Sequence, residues 1–183
     1  MSAPPHPDLD AAIRRIPHHP HEGILFYDLM PLFQSPGALA SGVARIADWA
    51  RPRAPELVVG IEARGFVMGG ALATGLGVGF AAARKTGKLP HETVRREYAL
   101  EYGSDAVEMH RDAVRPGMRV LVHDDLLATG GTAAAACALV EELGGLVVGV
   151  AVVAELTFLA GRTALEGRDV LSLVAFDDEA VPG

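Results

Sequence analysis

Disulfides, aromatic rings, long apolar runs and positive charge are all scarce in this 183-residue chain. There is one cysteine, Cys137, so no intrachain disulfide can brace the fold. It lies in the run TAAAACALV and reads as a small buried helix residue. Aromatic residues make up 5% of the chain, which argues against an aromatic-rich β-sandwich. No run approaches the roughly 18 apolar residues that a membrane span needs. The start, MSAPPHPDLD, lacks the basic-then-apolar pattern of a secretory signal, so the expectation is a soluble, cytoplasmic protein. The formal net charge is −7, whereas a general nucleic-acid binder carries a basic excess.

Half of the residues are hydrophobic, with Ala, Val, Leu and Gly prominent. A chain of this length buries roughly 70% of its unfolded surface, enough for a self-sufficient core. The expectation is one domain over 1–183. Asp8 to Ile16 has a plausible helix start, with Leu9, Ala12, Ile13 and Ile16 on one face. PHHPHEG follows, and its prolines exclude regular structure. Gly37 to Ala50 reads as a helix and Leu57 to Ile61 as a buried strand. GFVMGGALATGLG has helical spacing, and Val78 to Ala83 is the next strand. Strand, loop, helix and strand form a βαβ unit, so the two strands are expected to be parallel.

Residues 84–115 differ in composition. They hold seven basic residues: Arg84, Lys85, Lys88, Arg95, Arg96, Arg111 and Arg115. Glu97 to Tyr102 and Ala106 to His110 flank Gly103-Ser104-Asp105, which suggests an antiparallel hairpin. A polar insertion of this length reads as a flexible lid or binding loop. After the Pro116-Gly117 turn come a strand at Arg119 to His123, a helix at Thr132 to Leu143 ended by Gly144-Gly145, and strands at Leu146 to Ala154 and Val170 to Phe176. The fold class is α/β, an open and mostly parallel sheet flanked by helices. Ligands bind such sheets beyond the carboxyl ends of the strands.

The segment VLVHDDLLATGGT, Val120 to Thr132, carries the most chemistry. Asp124 and Asp125 follow a buried strand. Adjacent carboxylates repel, so they are tolerated where they meet donors or a cation, and sugar hydroxyls are suitable donors. Ala128-Thr129-Gly130-Gly131-Thr132 then leads into a helix. Small residues let backbone N–H groups approach an oxyanion, the helix N-terminus adds partial positive charge, and two Thr hydroxyls add donors. One element thus offers acceptors for a sugar and donors for a phosphate. There is no G-x-x-x-x-G-K-[ST] loop, and this loop is not a GxGxxG fingerprint.

VLVHDDLLATGGT resembles the phosphoribosyl-pyrophosphate (PRPP) motif of type I phosphoribosyltransferases. GIEARGFVMGGALA, RKTGKLPHETVRREYALEYGSDAVEMH and GILFYDLMPLF resemble the second signature, the catalytic loop and the base-binding segment of the adenine phosphoribosyltransferases. The match is collinear from about Ile16 to Phe176. The resemblance implies the reaction of adenine with PRPP to give AMP and pyrophosphate, with Mg2+ held mainly by PRPP, a homodimer and a role in purine salvage. It implies an N-terminal hood over 1–35 and a hairpin lid over 84–115. Asp124 and Asp125 would hold the ribose hydroxyls, and Ala128, Thr129, Gly130, Gly131 and Thr132 the 5-phosphate. The Ala63–Arg64 peptide would lie in the pyrophosphate loop, where the family often has a cis bond, with Arg64 near the base or the pyrophosphate. Arg84, Lys85 and Lys88 would meet remaining charge. Phe26 would stack on adenine, with Leu25, Glu155 and Leu156 beside it. Glu101 matches the proposed catalytic carboxylate, and Tyr102 its neighbour in the lid.

Three features depart from that pattern. Tyr27 stands where many members have Arg, and it cannot supply positive charge. His123 replaces an apolar residue and is expected to pack on the face opposite Asp124. His18, His19 and His21 fit no metal-ligand spacing and read as a solvated loop. Two other readings stay open: a phosphoribosyltransferase for xanthine or another 6-oxopurine, and a PRPP-sensing regulator without catalysis.

Overall fold

The computed structural model describes residues 6–99 and 104–177. In chain order its elements are α1 (Pro7–Asp10), β1 (Arg14–Pro17), β2 (Leu25–Asp28), α2 (Met30–Gln34), α3 (Pro36–Ala50), β3 (Leu57–Ile61), α4 (Gly65–Leu76), β4 (Gly79–Lys85), β5 (Thr93–Ala99), β6 (Ser104–His110), β7 (Arg119–Leu127), α5 (Gly131–Glu142), β8 (Leu146–Leu156) and β9 (Val170–Phe176). Seven strands form one sheet in the order β5-β6-β4-β3-β7-β8-β9. From β4 to β9 every neighbour is parallel, and the β5–β6 hairpin adds antiparallel strands at one edge. This is the α/β architecture that the apolar runs predict.

Burial explains the sheet's centre. LVVGI in β3 is buried at every position, as a parallel strand covered on both faces must be. One face packs Leu121 and Val153 against Ile46 of α3 and Met68 and Leu72 of α4. The other packs Val59, Val122 and Val152 against Leu139 and Val140 of α5. Gly60 has no side chain because the Phe80 ring fills that space: a Cβ would lie 2.6 Å from it. Cys137 is fully buried in α5, and burial pushes its thiol up to about 12. Among the described residues no helix is long and apolar enough to cross a membrane.

The structure corrects four sequence expectations. The helix expected over Asp8 to Ile16 stops at Asp10, and Arg14–Pro17 instead pairs with Leu25–Asp28 as an antiparallel ribbon. Pro17 disfavours helix at Ile16, and so short a helix has little stability of its own. β4 extends to Lys85, so Arg84 and Lys85 lie on the strand, paired with Glu108 and Val107. β7 extends past His123 to Leu127, because β8 continues beside it and supplies a pairing partner. Asp124 and Asp125 are therefore strand residues. The hairpin register runs from Thr93↔His110 to Ala99↔Ser104, so Ser104 and Asp105 belong to the second strand and not to a turn. Asp105 tolerates this because Lys85 and Tyr98 meet its carboxylate. Glu101 and Tyr102, expected at the end of the first strand, fall between the paired ends and lie outside the described residues.

The N-terminal ribbon is tied to the sheet by Tyr27. It is buried and stacks on Phe176 of β9, with centroids 3.9 Å apart and planes 17° apart. Its place in the pattern is thus an apolar anchor.

His123 is completely buried in β7. Its Nδ1 lies 2.9 Å from the Ala151 carbonyl oxygen. Burial pushes its pKa down to about 4, so the ring is neutral in the fold and Nδ1–H is the donor. Because the folded value is below the unfolded one, the unfolded chain takes up the proton first. The contribution is intact above about pH 6.5 and is lost as pH falls toward 4, a change of about 3 kcal/mol across that window. His123→Val is expected to flatten this slope in urea-unfolding midpoints measured over the same range. A variant as acid-sensitive as the parent would mean that His123 is not the group responsible.

Candidate active site

The sheet has one place where its connections part. β3 leads through α4 to β4 on one side, and β7 leads through α5 to β8 on the other. A crevice opens where neighbouring strands send their chains apart, and it lies beyond their carboxyl ends. Here it is bounded by the loop Glu62–Arg64 after β3 and by Ala128–Gly130 after β7.

The β7 side is built to receive an anion. Gly130 precedes α5 with a left-handed φ of 82° and caps it with no side chain. A Cβ there would run into the carbonyl oxygen of Gly161, so both conformation and space require glycine. The first helical amide bond is Ala134 N–H to the Gly130 oxygen, at 2.9 Å. The N–H groups of Gly131, Thr132 and Ala133 have no intrahelical acceptor, as at any helix start, and they point where the helix dipole is positive. The same three residues line a cavity of about 80 Å³ together with Asp124 and the stretch from Leu126 to Gly130. That volume suits a group such as a phosphate rather than a whole drug-sized ligand.

Asp124 and Asp125 stand at the rim. Asp125 is 4% exposed, and its Oδ2 lies 2.8 Å from Nε of Arg64. The Asp124 side chain accepts from Asp125 N–H at 2.8 Å. Burial, followed by the neighbouring Asp125 charge, holds the Asp124 carboxyl well above the usual range. Burial also raises Asp125, with Arg64 opposing. A Cβ on Gly65 would come within 3.0 Å of Asp124 Oδ1, so glycine is what lets α4 start this close to the acids. The cis bond in the loop is Glu62–Ala63, one residue before the Ala63–Arg64 peptide expected from the resemblance. Ala63 itself is exposed on that loop.

The basic residues come together on the β4 side. Arg84 grips Glu62 with Nε at 3.2 Å and Nη2 at 2.8 Å, and donates from Nη1 to the Lys88 carbonyl at 3.0 Å. The Arg84 hydrogen bonds hold the Glu62 carboxyl below its ordinary value. Lys85 is exposed, with Nζ 3.3 Å from Asp105. The Lys88 and Leu89 amides donate to buried Glu108, which sets the course of the loop that carries Lys88. The hairpin reaches toward the cradle through Tyr98, whose hydroxyl donates to Asp105 at 3.3 Å and lies near the Thr132 side chain. Glu62, Tyr98 and Glu108 were not foreseen from the sequence. Glu62 and Glu108 meet partners some twenty residues away, which no local pattern records.

Of the five residues expected at the base, Arg64 is held on Asp125, and the other four sit in two places. Leu25 is buried in the N-terminal ribbon, and Phe26 is half-buried on its other face, meeting His19 edge-on at 5.0 Å. Glu155 and Leu156 end β8. The Glu155 carboxylate is already bound by Arg162 and Ser172, which leaves its backbone, not its side chain, for a ligand.

Comparison with known proteins agrees with this geometry. The model of the phosphoribosyl transferase domain matches residues 34–169. The adenine phosphoribosyltransferase of Solibacter usitatus is 52% identical over 93% of this chain and 99% of its own length. The crystal structure of the adenine phosphoribosyltransferase from Thermoanaerobacter pseudethanolicus is 47% identical, with a TM-score of 0.89 over 93% of this chain and 99% of that one. The Saccharomyces cerevisiae enzyme, 40% identical with a TM-score of 0.87 over 92% of this chain and 97% of that one, was solved with an imino-altritol 1,6-bisphosphate and adenine.

The raised carboxyl of Asp124 leads to a prediction about stability. A carboxyl with a raised folded pKa favours the fold at low pH and loses that contribution as pH rises through the raised value. Asp124→Asn is therefore expected to raise Tm near neutral pH, by about 2–4 °C for each kcal/mol of relieved repulsion. The gain should fade on acidification. Calorimetry at several pH values checks this, and an unchanged Tm at neutral pH would show that the ligand-free fold bears no such cost.

Proposed function

The chain belongs to the adenine phosphoribosyltransferases within the phosphoribosyltransferase family, and on that premise we propose that it transfers the 5-phosphoribosyl group of PRPP to adenine, giving AMP and pyrophosphate in purine salvage. The observation that carries this reading is the meeting, at one switch point, of a carboxylate pair and an uncapped helix N-terminus. The cradle from Ala128 to Thr132 takes the 5-phosphate, and Asp124 and Asp125 accept from the ribose hydroxyls. The cis-bonded loop with Ala63 and Arg64 faces the pyrophosphate, and the nearby cations Arg84, Lys85 and Lys88 add to its neutralisation. Leu25, Phe26, Leu156 and the backbone of Glu155 form the adenine end.

Transfer breaks the bond between the anomeric carbon and pyrophosphate and forms a bond to a ring nitrogen of adenine. Positive charge builds on the sugar, as in glycoside hydrolysis. The departing electrons go to the pyrophosphate oxygen, and the ring proton of adenine goes to a base. Glu101 is that base in this proposal, and Tyr102 lines the lid beside it; both lie in the connection between β5 and β6. Closing the 84–115 hairpin lid and the 1–35 hood over one domain would exclude water from the activated sugar.

Mg2+ fits the donors at this site. Burial raises both carboxyls and the Asp125 charge raises Asp124 further, and a nearby cation would relieve those costs. When bound, it neutralises the leaving pyrophosphate. Phosphate oxygens and water would supply most of its ligands, so at most Asp124 or Asp125 would be needed from the protein. A homodimer is supported by α4, apolar nearly all round, whose Val67 is exposed while Phe66 meets the exposed Phe80 edge-on. We place the protein in the cytoplasm, with its salvage role.

A panel of purine bases with PRPP, followed by nucleotide formation, tests the reading. Adenine is expected to turn over. Turnover of hypoxanthine or xanthine without adenine would make this a 6-oxopurine enzyme, and PRPP binding with no turnover would make it a sensor. Glu101→Ala is expected to lower turnover by about 10²-fold or more while PRPP still binds. Unchanged turnover would remove Glu101 from the mechanism.

A further inference from the structure

Glu155 and Arg162 form the most fully bonded ion pair beside the site. Arg162 Nε and Nη2 each lie 2.7 Å from a Glu155 oxygen, and Ser172 Oγ donates to the same carboxylate at 2.7 Å. Arg162 also donates to the Val170 carbonyl and to Ser172 Oγ, both at 3.1 Å. The Glu155 residue is 3% exposed. Burial works against its charge, yet the bonds from Arg162 and Ser172 hold its carboxyl below the ordinary value. Glu155 is buried but the Arg162 side chain is partly exposed, and such a pair adds little net stability, so what it fixes in place is the more informative question.

Arg162 follows Gly161, and Gly161 touches the cradle with its backbone. A Cβ on Gly161 would collide with the Ala128 carbonyl oxygen, and a Cβ on Gly130 with that of Gly161. Two glycines facing each other allow this approach. The segment that carries Gly161 is two short 3-10 turns, Thr157–Leu159 and Gly161–Leu165, joined at left-handed Ala160. Single turns of this kind are not rigid alone. The guanidinium fork on Glu155, Val170 and Ser172 ties the Gly161 turn to β8 and β9, while Thr157 Oγ1, which donates to the Phe176 carbonyl at 3.0 Å, and buried Leu165 hold the segment on either side of it.

We infer that Arg162, acting through Glu155, is a positioning residue for the phosphate cradle: it presses the Gly161 backbone against Ala128 and Gly130 and so sets the direction of the N–H groups from Gly131 to Ala133. This rests on the reading of that cradle as the 5-phosphate site. Glu155 then serves the phosphate end through Arg162, although its strand ends near the base.

The test pairs direct binding with kinetics in Arg162→Lys and Gly161→Ala. Lysine keeps the charge but not the fork, which avoids stranding the buried carboxylate. Gly161→Ala leaves the ion pair and pushes the two backbones apart. Both variants are expected to weaken ribose 5-phosphate binding, measured by titration calorimetry, by about 10-fold or more, since preorganised donors lose strength steeply when displaced. KM for PRPP should rise in step, with kcat at saturation and KM for adenine near the parent values. Folded variants that bind ribose 5-phosphate like the parent overturn the inference. So does a rise confined to the adenine KM, or an equal loss in every parameter. If the parent itself does not bind ribose 5-phosphate, the reading of the cradle fails and takes the inference with it.

Discussion

The crevice exists because β3 leaves β7 at His123 while β7 and β8 run on to Leu127 and Leu156. Past that point one edge of β7 has no strand beside it. The acids and the cradle that follow occupy the space so opened. Without this unequal length, Asp124 and Asp125 would lie between paired strands, where no ligand could reach them. The direction of the connections completes the arrangement: α4 and α5 start on opposite faces, so both of their N-termini converge on the gap.

The gap concentrates charge that the fold itself only partly balances. Arg64 bridges from one side to Asp125 on the other, and Arg84 is held by Glu62. Asp124 keeps a raised carboxyl because burial and its neighbour both oppose ionisation. Such a site costs stability, since burial and a neighbouring charge both oppose ionisation, and hydroxyl donors or a cation would relieve that cost. The glycines belong to this logic as well. Gly65, Gly130 and Gly161 each stand where a side chain would hold two backbones apart, and close backbone approach is what brings the donors to the ligand.

Much of this was legible in the residues because its causes are local. Leu57–Ile61 and Val170–Phe176 are strands at the bounds their apolar runs suggest. The glycine turn before α5 was readable because small residues before a helix have few other uses. The errors share one origin: a partner elsewhere in the chain changed a local preference. β8 kept the acidic stretch of β7 in a strand, and Leu25–Asp28 drew Arg14–Pro17 out of a helix. Lys85 and Tyr98 kept Asp105 in a strand.

The sequence by itself determined the α/β class, the glycine turn before α5 and the family, because apolar periodicity and contiguous motifs are written along the chain. Tertiary structure alone decided how the charged residues are used. Tyr27 became a core anchor, Glu155 a tether, and Arg84 the partner of Glu62, because each of those roles depends on a group brought near by folding. Distance in space is set by packing, and spacing along the chain does not encode it.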